Sequence, residues 1–276
     1  MTVYEAPAKI NLSLHVKAPR PDGMHPVESL AQTIEWCDLV EVEEGDGEDS
    51  LRVEAEGAEG EGLSDKDNLV LKALAAARVA REVGPLRVTL RKRLPVAAGL
   101  GGGSSDAAAV LFAVGAPGVA AEVGADVPLF LTGGTMTVRG VGDVIEPAAP
   151  LSGFAAAVAA PGFGLATPDV YRRWDEMEGP GGEAAAPSSL PPALREGMPV
   201  RNDLLPAALD LEPRLGDFLA DVRAAWGAPV LLTGSGSACF GLFGDFDEAE
   251  SAAEAVSSMC RRSRGAELRP CGVRKA

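Results

Sequence analysis

Apolar and polar positions alternate from the start of the chain. Ile10, Leu12, Leu14 and Val16 interleave with Asn11, Ser13 and His15, the two-residue period of a half-buried strand, which puts Lys9 and Asn11 on one face. Shorter alternating runs at 40–43 and 51–55 lie in a stretch, 41–62, where acidic residues crowd around Arg52, and they predict a solvated hairpin. Asp67 and Asn68 offer caps for a helix-period run over 69–83, which Gly84 and Pro85 end, and Leu86, Val88 and Leu90 alternate as another strand. A glycine-rich loop leading into a run of small residues follows at 94–109. Residues 135–145 predict a hairpin turning near Gly140, Val141 and Gly142, and Pro147 and Pro150 mark a boundary between two units, 1–150 and 151–276. Beyond it, 154–160 predicts a strand, and Thr167 an N-cap with Pro168 at the first helical position. The stretch 179–199, rich in Gly, Pro, Ala and Ser, predicts a mobile loop. Asn202 is placed to cap a helix, and 215–226 and 247–263 carry helical patterns. Segments 230–233 and 238–243 flank a Gly-Ser-Gly turn, and a last strand falls near Leu268. Helices mixed with hairpins, without a regular β-α-β rhythm, indicate the α+β class.

A chain of 276 residues can bury a substantial core and has room for two domains. Its net charge of −15 repels polyanions, which argues against a nucleic-acid partner and requires any anionic ligand to be held by a local site. No apolar run reaches transmembrane length, so no membrane partner is expected. The first residues show neither the apolar core of a secretory signal nor the Arg/Ser richness of a transit peptide, which points to a cytoplasmic protein. Cys37, Cys239, Cys260 and Cys271 have no C-x-x-C spacing, and with two histidines in the chain they assemble no zinc cluster. Reduced thiols and no protein-held metal are expected.

The loop Pro95-Val96-Ala97-Ala98-Gly99-Leu100-Gly101-Gly102-Gly103-Ser104-Ser105 has the form of a phosphate cradle. Its glycines let backbone N–H groups approach an anion, and the helix that follows adds free amides and a favourable dipole. It lacks the Gly-Lys-Ser/Thr of a Walker A loop, and it departs from the dinucleotide pattern at Ser104. By itself such a cluster also serves as a packing turn, and Thr233-Gly234-Ser235-Gly236 by itself is a hairpin turn.

Taken together, Ala6 to Leu12, Pro95 to Ala109 and Leu232 to Phe240 resemble, in order and spacing, the three motifs of the GHMP kinases. The segments Pro21 to Pro26 and Gly124 to Pro128 are similar to the branch of that family whose alcohol substrate carries a cytidine diphosphate group. The resemblance spans nearly the whole chain. It implies a two-domain fold, with an amino-terminal domain of the ribosomal protein S5 domain 2-like type and a ferredoxin-like carboxy-terminal domain. It also implies ATP as phosphate donor, with Mg²⁺ carried alongside.

The resemblance assigns Asp126 as the base that takes the hydroxyl proton, and Lys9 as the charge beside it that keeps the carboxylate ionised and stabilises the transferring group. Asn68, Lys92, Pro95, Gly99, Leu100, Gly101, Gly102, Gly103, Ser104 and Ser105 fall on the nucleotide side. Asn11, Met24, His25, Thr167, Tyr171, Thr233, Gly234, Ser235 and Gly236 fall on the substrate side, with His25 recognising cytosine and Tyr171 stacking on it. Read without the resemblance, Lys9 is a strand lysine, Asp126 a loop cap, His25 a loop residue and Tyr171 a packed helix aromatic. Two departures stand out: Met24 replaces the aromatic residue common before the histidine, and the segment 107–123 is short. A small-alcohol kinase of the homoserine or phosphomevalonate type, and a family member that binds without catalysis, are the rival readings. Lys9 and Asp126 together argue against the second.

Overall fold

The computed structural model describes residues 1–55, 68–186, 188, 190, 194–195 and 199–276. Along the chain run β1 (Thr2–Val16), β2 (Val27–Glu44), β3 (Ser50–Ala55), α1 (Leu69–Ala80), β4 (Leu86–Lys92), α2 (Gly102–Ala113), α3 (Ala120–Val123), α4 (Val127–Thr132), β5 (Thr135–Arg139) and β6 (Val144–Pro147). There follow β7 (Ala155–Ala160), α5 (Thr167–Glu176), α6 (Leu205–Leu211), α7 (Arg214–Trp226), β8 (Leu231–Leu232), β9 (Cys239–Phe243), α8 (Phe246–Ala255), β10 (Arg262–Glu267) and β11 (Arg274–Lys275). The strands form two sheets. One has the order β11-β1-β2-β4-β3, with β5 on β2 and β6 on β5; the other has the order β10-β7-β9-β8. This is the expected α+β architecture in two layers.

Why β1 is not half-buried is visible in its packing. Ala6 joins the helix-side core with Leu74, Leu111 and Phe130, while Ala8, Ile10 and Leu12 join a second core with Val158 and Phe240 from the other sheet. A register shift between Pro7 and Ala8 separates the two groups, so the strand packs on the helices at its start and on the other sheet further along. The central strand of the second sheet is covered on both faces through small residues: Ala155, Ala157 and Ala159 face the core under α5 to α8, and Ala156, Val158 and Ala160 face the first sheet.

Several expectations are corrected. Residues 40–43 are the end of the long β2, and β3 pairs in parallel with β4, because β4 already holds that edge of β2 through Leu39–Arg91 to Glu44–Leu86; there is no hairpin between β2 and β3. The helix after Asp245 stops at Ala255, and 262–267 is a strand paired antiparallel with β7. Asn202 caps no helix; its Oδ1 accepts from Leu204 N–H at 2.9 Å in a turn before α6. Ala166, one residue earlier than expected, is the N-cap of α5. The last residues return to the first sheet, where β11 pairs with β1, although the expected boundary placed them in the second unit. Asp67, the acidic run from 56 on, and parts of 179–199 lie outside the described residues. Leu190 and Leu194 of the latter are buried in the inter-sheet core.

Candidate active site

The three motifs meet in a cleft of about 1020 Å³ between the two units. On β1, Lys9 and Asn11 share a face as the alternation predicts, and Lys9 Nζ donates to Asn11 Oδ1. Asn11 Nδ2 donates in turn to Ser29 Oγ at 2.8 Å, which fixes the amide. Thr233 then ties the motifs together: its Oγ1 accepts from the Asn11 backbone N–H at 3.1 Å, and its hydroxyl donates to the Gly99 carbonyl at 3.2 Å. Main chain approaches main chain here so closely that a Cβ on Gly99 would stand 2.1 Å from Thr233 O. Only glycine permits that contact.

Gly101 precedes α2 with a left-handed φ of 73°, where a Cβ would stand 2.6 Å from the Phe130 ring, and no side chain caps the helix. The first-turn amides of a twelve-residue helix are thus left for the cleft, with the positive end of its dipole behind them. The space over Gly103 is open, since a Cβ there would touch only Leu69 Cδ1, at 3.8 Å. A polyphosphate fits this cradle in both shape and charge.

Beneath the cradle Lys92 Nζ contacts Asp38 Oδ2 and donates to Asp106 Oδ2 at 2.7 Å. Burial works against the Lys92 charge, but the two carboxylates outweigh it and hold its pKa above the usual lysine value. Burial pushes Asp106 up to about 7, with Lys92 pulling it down and Asp38 adding to the rise. An ammonium touching both acids is the arrangement the geometry supports. Asp38 also accepts from Leu94 N–H at 2.8 Å, so this triad fastens the end of β4 to α2.

Asp126 sits at the N-cap position of α4, yet its side chain caps nothing. Its carboxylate is 43% exposed at the cleft and stands 3.8 Å from Lys9 Nζ. Burial lowers the Lys9 pKa, and the Asp126 charge raises it back in part. Tyr171 is close by: its phenol is pushed up to about 12, first by burial and then by the charge of Asp126. The rings of Tyr171 and His25, 5.0 Å apart and tilted at 47°, both line the cleft and form an aromatic recess at one end of it, while Trp174, buried behind them and outside the lining, meets His25 edge-to-face at 5.6 Å. Thr167 Oγ1 and Ser235 Oγ are hydrogen-bonded at 2.8 Å at the rim.

Of the residues expected from sequence, Lys9, Asn11, Met24, His25, Asp126, Thr167, Tyr171, Gly234 and Ser235 line the cleft, as do Asn68, Lys92, Pro95 and Gly99 to Ser104. Asn68 also caps α1, its Oδ1 accepting from Val70 N–H at 2.9 Å. Ser105, Thr233 and Gly236 are not in the lining. One residue of helix rotation separates Ser104, toward the cleft, from Ser105, which is fully buried. Thr233 is a buried strut between motifs, and Gly236 packs toward Leu232 and Leu165. Sequence reasoning missed Asp38, Asp106 and Asp175. Asp38 carried a signal, being an acid in phase with Trp36 and Val40 on a strand face, and Asp175 lies four residues after Tyr171 on one helix face. Among the described residues, Glu5, Glu35 and Cys37 come closest to a metal-ligand grouping, but Arg269 Nη1 already bonds both carboxylates at 2.9 and 2.8 Å, and none of the three lines the cleft.

Comparison with known proteins identifies the family. Residues 68–134 match the model of the GHMP kinases N terminal domain, and 184–262 that of the GHMP kinases C terminal domain. The 4-diphosphocytidyl-2-C-methyl-D-erythritol kinase of Granulibacter bethesdensis is 40% identical over 272 residues, covering 92% of this chain and 89% of the relative. The protein of the same name from Cereibacter sphaeroides is 38% identical over 276 residues, covering 94% and 95%. A crystal structure of 4-(cytidine 5'-diphospho)-2C-methyl-D-erythritol kinase superposes with a TM-score of 0.76 at 36% identity, covering 96% of this chain and 98% of the other. Homoserine kinase from Cytophaga hutchinsonii shares the fold, with a TM-score of 0.70 at 17% identity over 100% and 97% of the chains. This chain is therefore a small-molecule kinase that belongs to the GHMP kinases and, within them, to the 4-diphosphocytidyl-2-C-methyl-D-erythritol kinase family.

Proposed function

We propose that the chain transfers the γ-phosphoryl group of ATP to the 2-hydroxyl of 4-diphosphocytidyl-2-C-methyl-D-erythritol, in the non-mevalonate (methylerythritol phosphate) isoprenoid pathway. The observation that carries this reading is the Lys9–Asp126 pair, 3.8 Å apart in the cleft that the glycine cradle and the aromatic recess share. Phosphoryl transfer asks a protein mainly for positioning and charge stabilisation. ATP supplies the transferred group, and the amides of α2 hold its phosphates. Asp126, free of any capping duty, accepts the hydroxyl proton as the oxygen attacks. Lys9, held by Asn11, stabilises the negative charge that develops on that oxygen and on the transferring group. Transfer is direct, with no phosphoenzyme.

Mg²⁺ bound to the nucleotide would supply neutralisation of the phosphate charge, and Ser104, the first-turn hydroxyl that lines the cleft, would be this chain's side chain to hold a phosphate or that ion. His25 and Tyr171 hold the cytosine, and the partially exposed Met24 borders the same end of the cleft. The test is an acceptor competition. The protein is given ATP with the cytidyl alcohol, homoserine and phosphomevalonate together, and products are read by mass spectrometry. One phosphate gained by the cytidyl alcohol alone is expected; phosphorylation of either competitor in preference to it overturns the assignment.

A further inference from the structure

Asp175 stands in the last turn of α5, where the helix dipole disfavours a carboxylate. Its neighbour Glu176 is answered within the helix by Arg173 at 3.0 Å. Asp175 is answered from the other unit: its Oδ1 meets His25 Nε2 at 2.8 Å. A carboxylate can only accept, so the ring nitrogen facing it carries a proton, and in a neutral imidazole the other nitrogen is then an acceptor. That other nitrogen, Nδ1, has no hydrogen-bond partner among the described residues, and His25 lines the cleft. Tyr171 and Trp174 fix the plane of the ring, at 47° and 81° to their own.

We propose that Asp175 is a positioning residue for base selection: by holding the proton of His25 on Nε2 it presents Nδ1 as a lone-pair acceptor, which takes an exocyclic amine and refuses a carbonyl oxygen. The subsite therefore admits cytosine and rejects uracil, which differ at that group. The inference rests on the cytidyl reading above and adds how that base is told from its nearest analogue.

The chain has two histidines, so imidazole ¹⁵N spectra resolve His25 against His15, whose Nε2 meets the Pro199 carbonyl at 2.8 Å. The expected spectrum of the unsubstituted protein shows His25 Nε2 protonated and Nδ1 bare. CDP is expected to bind about 10- to 100-fold more tightly than UDP, the range set by leaving one buried acceptor unpaired. In Asp175→Ala the tautomers mix, the CDP/UDP ratio collapses toward one, and KM for the cytidyl alcohol rises while kcat and KM for ATP hold. A proton on Nδ1 in the unsubstituted protein overturns the inference without any variant. So does an Asp175→Ala protein that keeps the CDP/UDP ratio, or an unsubstituted protein that binds the two equally. If neither nucleotide binds at all, it is the cytidyl reading itself that fails.

Discussion

Lys9 illustrates how much one side chain depends on its surroundings. Its ammonium is buried, which makes the charge costly and lowers its pKa, while Asp126 at 3.8 Å restores part of it. If the charged form stabilises the transfer, turnover falls as pH rises and Lys9 loses its proton, and it does so at a lower pH than an ordinary lysine requires. Lys9→Arg, which stays charged, should abolish that alkaline limb while lowering the plateau, because a guanidinium does not fit the ammonium's place beside Asn11. An unchanged limb in a kcat–pH profile would assign it to another group. The facing of Lys9 and Asn11 was legible from a two-residue period. Asp126 was legible only through its motif, since nothing local distinguishes it from a cap. Ser105 was misread because two adjacent hydroxyls look alike in sequence, and only the phase of the helix sends one to the cleft and the other to the core.

At the scale of elements, the glycine loop is set by close approach and not by flexibility. Gly101→Ala must hold a left-handed φ and push the Phe130 ring, whose backbone also anchors the carboxy-terminal tail, so a destabilisation of at least about 1–2 kcal/mol is expected. Lys9 Cε lies 3.3 Å from the same Cβ, so kcat should fall by ~10-fold or more, consistent with the cost of misplacing a catalytic group. Gly103→Ala has room and regular helical φ, and should leave the melting temperature intact while raising KM for ATP, because the methyl enters the cradle. Thermal melts and steady-state kinetics on the pair separate the two effects. The overrun of the helical pattern past Ala255 has a similar local cause. Residues 262–267 contain no β-branched or aromatic side chain to announce a strand; pairing with β7 imposes one, and Gly265 is present because a Cβ there would meet the Glu250 backbone nitrogen at 2.5 Å. The parallel partnership of β3 was likewise invisible, being decided by β4, a distant segment.

For the whole molecule, the two sheets share one buried core, so the Lys9–Asp126 pair and the His25–Tyr171 rings are held in a fixed relation by packing. The carboxy-terminal tail adds a second brace that no sequence signal announced. Gly272 N–H donates to Thr132 O at 2.9 Å and Val273 N–H to Phe130 O at 2.7 Å, fixing the end of the helix that Asp126 begins. Arg269, fully buried, binds Glu5, Glu35 and the Gly272 carbonyl. Arg269→Met should cost about 3 kcal/mol in denaturant unfolding, the lower end of what breaking a buried ion pair costs, because the two glutamates keep some access to water. Removing residues 271–276 should lower kcat as well as stability, since α4 loses its brace; a truncated protein with normal kcat would show the tail to be dispensable for the site. The central claim is that a lysine from the first strand and an aspartate from mid-chain meet at the point of transfer. It is tested most directly by single-turnover transfer from γ-labelled ATP to the cytidyl alcohol in Asp126→Asn. The rate is expected to fall by ~10² to 10⁴, the usual worth of a positioned base, with ATP affinity nearly unchanged. Transfer at close to the unsubstituted rate would contradict it.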